Sequence, residues 1–294
     1  MTNRSDRLIG ALAWAGMVLV VTAWQVATRW GVTTTLTPLD LALFRYGVPG
    51  VVLAPVLLRN GLGRGARPWH IAAIVLGGGL PFGLLGMAGA QFAPAAHMGA
   101  LLPGAMPLFV AALSALVLKE RFDRYKLTGL FLIVCAVFTI TGSALGGGQD
   151  TLVGDALFLS AAVLWALYTV AFRLSGLEAL HGAALVAVAS TLLIVPLWIA
   201  VPESGLLSAP PADLAVQFVV QGLLAGPFGM VLFGVSVRRL GPAATALSGA
   251  VVPAATAAGG WVILNEALSG ATAFGIVLTG VGLALFALGQ SRLP

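Results

Sequence analysis

Few side chains in this 294-residue chain could do chemistry, and none are spaced for making or breaking bonds. There is no GxxxxGK[ST] phosphate loop, no HExxH pair and no GxSxG elbow. No Cys/His set has metal-ligand spacing, so neither an enzyme nor a cofactor is expected. The one cysteine, Cys135, sits in the apolar run FLIVCAVF, which suits an inert core thiol and leaves no intrachain disulfide. What remains is a small set of polar and aromatic residues placed inside apolar runs. They are Trp24, Gln25, Arg45, Tyr46, Gln91, His97, Met106, Trp165, Tyr168, Gln217, Gln221 and Ser248. Amides, an arginine and aromatic rings in such positions suit the holding of a small molecule.

Arg45 is the most informative charge. It lies about six residues inside an apolar run, where an arginine costs about 2.5 kcal/mol or more, so it should face a cavity or a partner. Two other readings stand beside that one: snorkelling to the nearer surface, or pairing with Asp40. His97 is of the type that titrates and carries protons, or else a structural hydrogen-bonder. Trp165 and Tyr168 are three apart and share one helix face. They lie too deep for the interfacial belt, which Trp14, Trp30, Trp69 and Trp261 fit better. Core packing and substrate contact both account for the pair. Glu120 and Glu266 stand at run ends and read as caps or topology markers. No acid is expected deep within a span, and so no carboxylate-based proton or sodium site.

The elements that must position these residues follow from composition. The chain is 59% hydrophobic and 9% charged, with a mean hydropathy of +1.02, against about 25% charged residues in ordinary soluble domains. Its apolar runs are about 20 residues long, enough to cross about 30 Å of hydrocarbon as helix. Ten spans are expected, near 8–30, 39–58, 69–91, 95–118, 126–144, 153–175, 179–201, 213–237, 242–264 and 271–290. Nothing alternates as a lipid-facing barrel strand would. Met1–Arg7 is short and polar, and no cleavable signal peptide is expected. The net charge of +5 could point to nucleic acid, but 13 of the 15 Lys and Arg fall on one side of the ten spans. Arg29 alone falls on the other side and Arg45 within a span. Arg64 and Arg292 are counted with the majority. That asymmetry predicts both termini in the cytoplasm, with a lipid bilayer as the partner and no nucleic acid.

A repeat organises the whole chain. An offset of 146 places Pro81, Phe82 and Gly83 on Pro227, Phe228 and Gly229; it also matches Pro107 with Pro253, Glu120 with Glu266 and Gly129 with Gly275. The expected fold is therefore an all-α membrane protein: ten transmembrane helices as two inverted five-helix repeats, 1–145 and 151–294, with a seam at Gly146–Asp150. Five spans per repeat force the second to enter from the opposite face. The charges agree, since KERFDRYK after the fourth span is replaced by base-free NEALSGAT after the ninth. Inverted repeats bind at the midplane, where matched helices are broken. Pro81 and Gly83 in the third span and Pro227 and Gly229 in the eighth are the expected breaks, with Pro107 and Pro253 as further matched hinges. Phe82 and Phe228 would then line the shared hollow; packing kinks are the plainer alternative. Gly77-Gly78-Gly79 suits internal packing or a dimer contact; oligomeric state stays open, and a monomer is compatible.

With its two inverted halves and a Pro-x12-Glu unit in each (Pro107 to Glu120, Pro253 to Glu266), the chain resembles the EamA-type drug/metabolite transporter superfamily. Within it the resemblance is strongest to exporters of aromatic amino acids. That resemblance implies efflux of phenylalanine, tyrosine, tryptophan and related metabolites from a central cavity by alternating access. Other members of similar composition move threonine, cysteine derivatives or other metabolites. Uptake of a small metabolite, a channel and an intramembrane enzyme are the remaining alternatives, in that order.

Overall fold

The computed structural model describes residues 4–63, 65–144, 149–201 and 203–290; Arg64, Arg292 and the Gly146-Gly147-Gly148 part of the expected seam lie outside them. Among the described residues, ten helices are long and apolar enough to cross a membrane. They are Asp6–Thr34, Pro38–Asn60, Pro68–Phe92, Ala95–Leu118, Arg124–Ser143, Gln149–Ser175, Ala179–Ala200, Pro211–Leu240, Ala244–Leu264 and Gly270–Gly289. They are numbered below as the first to tenth spans. Ten is even, so the chain ends lie on one face, called here the terminal side; the other is the far side. In hydrocarbon a backbone must satisfy itself, and these unbroken apolar runs do so as helices.

The two repeats do not sit apart as separate five-helix bodies. They exchange their first helices: the first span packs on the eighth and ninth, and the sixth packs on the third and fourth. The second span pairs with the seventh and the fifth with the tenth. That last crossing is close because it is glycine against glycine. A Cβ added to Gly129 would come 2.5 Å from the Gly282 carbonyl oxygen, and one added to Gly282 would come 2.8 Å from that of Gly129. Gly77 and Gly78 press against Leu164 and Tyr168 of the sixth span, so that triplet serves internal packing.

Inversion shows in matched details. Lys119 and Asn265, 146 positions apart, are the non-glycine residues of positive φ among those described, at 55° and 54°. Each ends a span in the left-handed conformation, and each is followed by the acid of its repeat, Glu120 or Glu266. Likewise Gly10 of the first span packs on Arg239 and Leu240, as Gly154 of the sixth packs on Gly89 and Ala93.

The third and eighth spans are interrupted at Gly79 and Gly226, slightly before Pro81 and Pro227. The third span divides at Gly79 into Pro68–Gly78 and Leu80–Phe92. The Leu80 N–H leaves the helix ladder and donates to Ser190 Oγ at 2.9 Å, while the Gly79 carbonyl accepts from Tyr46 Oη at 2.7 Å. Gly83 makes this possible, because a Cβ there would fall on Tyr46 Oη. The eighth span breaks at Gly226 (φ −96°, ψ −109°), directly before Pro227, whose ring disfavours helical geometry in its predecessor. The turns leading to it, Phe218–Phe228, are π-helical, as are Leu43–Gly47 of the second span. Gly222 and Gly226 lie against Val48 and Pro49, bringing the two wide-turned segments together. By contrast, Pro107 and Pro253 interrupt nothing: Ala95–Leu118 and Ser248–Leu264 run helical through them, correcting the expectation of hinges there. Membrane helices tolerate proline where neighbouring groups satisfy the freed carbonyl.

Candidate functional site

Trp24, Phe82 and Gln221 each lie ten residues from the far-side end of their span, about 15 Å at helical rise, and Trp165 lies ten from the terminal-side end of its own. The four therefore share the middle level of the bundle. Trp24 and Phe82 are buried in one apolar cluster, with Trp165, Met106 and Val220 packed against it. The rings of Phe82, Trp165, Tyr168 and Phe172 form a row, with successive centroids 5.1, 4.9 and 5.8 Å apart. Phe228 does not join it. Although Phe82 is 4% exposed, its counterpart is 48% exposed on the opened terminal half of the eighth span.

The polar residues gather around the first span. The Arg45 guanidinium stands over the Trp24 ring, 5.1 Å from its centroid. It does not pair with Asp40, whose carboxylate accepts from Thr37, Trp198 Nε1, Ser204 Oγ and the Gly205 N–H at 2.7–2.9 Å. Nor does it snorkel, since Nη1 is buried and has no protein partner. Gln25 accepts from Thr256 Oγ1 at 2.5 Å. Gln221 donates to Thr28 Oγ1 at 2.9 Å and to Gln217 Oε1 at 3.3 Å, and Gln217 donates to the Ala27 carbonyl at 2.7 Å. Together these bonds tie the eighth and ninth spans to the first.

Three expected residues stand elsewhere. Ser248 is buried on the terminal side and donates to the Thr245 carbonyl. Gln91 is exposed at the far side and offers only its carbonyl, to Arg29. His97, also toward the far side, bonds Asp155 Oδ1 through Nδ1 at 2.8 Å and Thr272 Oγ1 through Nε2 at 3.2 Å. Asp155 corrects the expectation that no acid lies deep within a span. Its helix starts at Gln149, so it is the seventh residue of that helix and 1% exposed. No sequence signal beyond the polar character of that helix start marks it.

Two mirrored ion pairs flank the middle level. On the far side Arg29 Nε lies 2.7 Å from Glu266 Oε1, and Arg29 Nη1 donates to the carbonyls of Ala90 and Gln91 at 2.7 and 3.0 Å. Glu266 Oε2 accepts the Ala95 N–H at 2.8 Å, a carboxylate at the positive end of the fourth span. One pair thus clamps the turn between the third and fourth spans onto the first and ninth. On the terminal side Glu120 Oε1 and Arg173 Nη2 lie 2.5 Å apart, and this pair is the more exposed of the two, at 34% and 49% against 16% and 18%. Gly241 and Gly249, at that turn and in the ninth span, have nothing within 4 Å of an added Cβ. The fourth and ninth spans meet toward the far side, where Gly99 abuts Thr256 and Gly260 abuts Ala95.

The expected hollow at the middle level is filled by rings in this conformation. A cavity of about 450 Å³ lies instead between the ninth and tenth spans, beside Trp261 and Ile276. Another, of about 170 Å³, opens beside His97, Ser143, Thr151 and Thr272. Among the described residues no cluster of His, Cys, Asp and Glu could hold a metal ion.

The EamA-like transporter family matches the sequence twice, over residues 8–142 and 152–288. These starts differ by 144, an offset that places Arg29 on Arg173 and Gly10 on Gly154. No curated protein matches. A solved structure titled "Crystal structure of protein" matches with a TM-score of 0.61 and 22% identity, over 98% of this chain and 99% of its own. That is a likeness of fold alone.

Proposed function

Because this chain belongs to the EamA-like transporter family, we propose that it is a secondary transporter exporting amino acids, aromatic ones favoured, across a bacterial inner membrane by alternating access. The observation that carries this is the unequal state of the mirrored pairs: Arg29–Glu266 is largely buried and clamps the far side, while Arg173–Glu120 is much more exposed. An inverted repeat caught with one clamp engaged and its mirror disengaged fits one end of an alternating cycle. The terminal side, where Arg238, Arg239, Arg121 and Arg124 lie, is the cytoplasmic one. The repeats are 1–145 and 151–294, but the moving units cross that boundary: the first, eighth and ninth spans against the third, fourth and sixth.

The row of Phe82, Trp165 and Tyr168 supports a flat apolar side chain as cargo, because rings stack on rings at such centroid distances. Met106 and the break at Gly79 flank that row. Counterflow into proteoliposomes, with a panel of amino acids at several pH values, tests the reading. Saturable exchange of phenylalanine, tyrosine or tryptophan is expected. Exchange confined to threonine or cysteine derivatives would remove the aromatic preference. Steady unsaturable flux would make the protein a channel.

A further inference from the structure

Five buried polar atoms around the first span have no hydrogen-bond partner: Trp24 Nε1, Gln25 Nε2, Arg45 Nη1, Gln221 Oε1 and Thr22 Oγ1. Buried polar groups are rarely left so, and several together need an explanation. The first three are donors and the fourth is an acceptor.

The identity of that acceptor is fixed by its neighbours. Thr28 Oγ1 gives its own proton to the Trp24 carbonyl at 2.7 Å, so toward Gln221 it can only accept. Gln221 must therefore present its NH2 to Thr28, and its second N–H goes to Gln217. The carbonyl oxygen is left over. Trp24 and Thr28 are four apart on one face of the first span, so Gln221 meets that span one helical turn from the residue that carries the indole.

Arg45 adds a charge. The Trp24 ring covers one face of the guanidinium but cannot neutralise it, and a charge at this depth requires a counterion. The neighbouring acid, Asp40, is committed to four other groups. The anion must therefore come from a ligand.

We infer that Arg45, Trp24 and Gln25 form a carboxylate site and Gln221 Oε1 an ammonium site, so that the protein selects α-amino-acid zwitterions. This rests on the transporter reading and adds the head-group chemistry that the aromatic row does not address. A carboxylate accepts from the arginine and from the two N–H donors, as charge-assisted bonds. An ammonium donates to the amide oxygen. The ammonium takes one bond from this neutral amide, and the substrate's own carboxylate, shared with Arg45, is its nearest opposite charge. The side chain would extend from Trp24 toward Phe82 and Trp165, which pack in the same cluster.

The test is ligand-induced thermal stabilisation of the purified full-length chain, in parallel with counterflow. Two matched series are used: tryptophan, tryptamine and indole-3-propionate, then leucine, isoamylamine and 4-methylpentanoate. At least one zwitterion is expected to bind tenfold or more tightly than its own amine and acid. Arg45→Gln should weaken the zwitterion and the acid at least tenfold and leave the amine unchanged. Trp24→Phe keeps an aromatic ring beside Arg45 but removes the Nε1 donor with part of the indole, so it should weaken the same two ligands less. Equal stabilisation by all members of both series, none by either zwitterion, or an Arg45→Gln loss shared by the amine would overturn the inference. Zwitterion binding without counterflow would leave the site standing and overturn the transporter reading. Counterflow without head-group discrimination would do the reverse.

Discussion

Arg173 stands to Glu120 as Arg29 stands to Glu266, yet the first pair is 49% and 34% exposed and the second 18% and 16%. The difference comes from what each pair grips. Glu266 also holds the Ala95 N–H and Arg29 holds two carbonyls across the helix boundary, whereas among the described residues the Arg173 and Glu120 side chains bond each other.

Removing the engaged clamp should open the far side. Glu266→Gln gives up charge-assisted bonds worth about 1–3 kcal/mol, enough to raise the open population at least about fivefold. Met98→Cys in a Cys135→Ser background supplies a buried reporter in the fourth span. Its labelling by a membrane-impermeant maleimide should speed up by that factor in Glu266→Gln and stay unchanged in Glu120→Gln. Equal rates in both would show that the pairs do not act as clamps.

Gly83→Ala should loosen the break in the third span. The added methyl would displace Tyr46 Oη and cost its bond to the Gly79 carbonyl, a loss of about 1–3 kcal/mol with the strain included. Tyr46→Phe should cost about 1 kcal/mol. Because both variants act on one bond, the double variant should melt no lower than Gly83→Ala alone. Melting of the purified protein in detergent reads all three.

The His97–Asp155 pair is expected to be structural, since both ring nitrogens are already bonded. Asp155→Asn should lower the melting temperature by several degrees, corresponding to about 1–3 kcal/mol. The pH profile of counterflow should not move. A displaced profile with an unchanged melt would instead identify the pair as a proton carrier.

Inversion is directly readable by labelling. Arg121→Cys and Leu268→Cys follow the matched span ends Lys119 and Asn265, and both side chains are exposed. They should react from opposite sides of the membrane, Arg121→Cys from the cytoplasm. Reaction from the same side would contradict the inverted repeat.

The spans and the repeat were legible in the sequence, the spans from composition and the repeat from scarce residues. Apolar runs of about 20 set the helices, and proline and acid matches at one offset set the repeat. The offset itself hid the far-side clamp: Glu120 matches Glu266 at 146, but Arg29 matches Arg173 only at 144. Asp155 escaped notice because its helix begins before its apolar run does. Phe82 and Phe228 are equivalent in sequence and unequal in space, since a repeat constrains the average of two states and a conformation is only one of them. Pro107 and Pro253 show the limit of local rules, as those helices run through their prolines.

The wide turns at Leu43–Gly47 and Phe218–Phe228 carry a further consequence. A π turn holds surplus chain relative to an α turn, and expelling one residue would swivel everything beyond it by about 100° and draw it in by about 1.5 Å. Arg45 sits within one such coil and Gln221 within the other. The two ends of the head-group site thus ride on slack that can be wound in or let out like a screw thread, without tearing either helix from its neighbours.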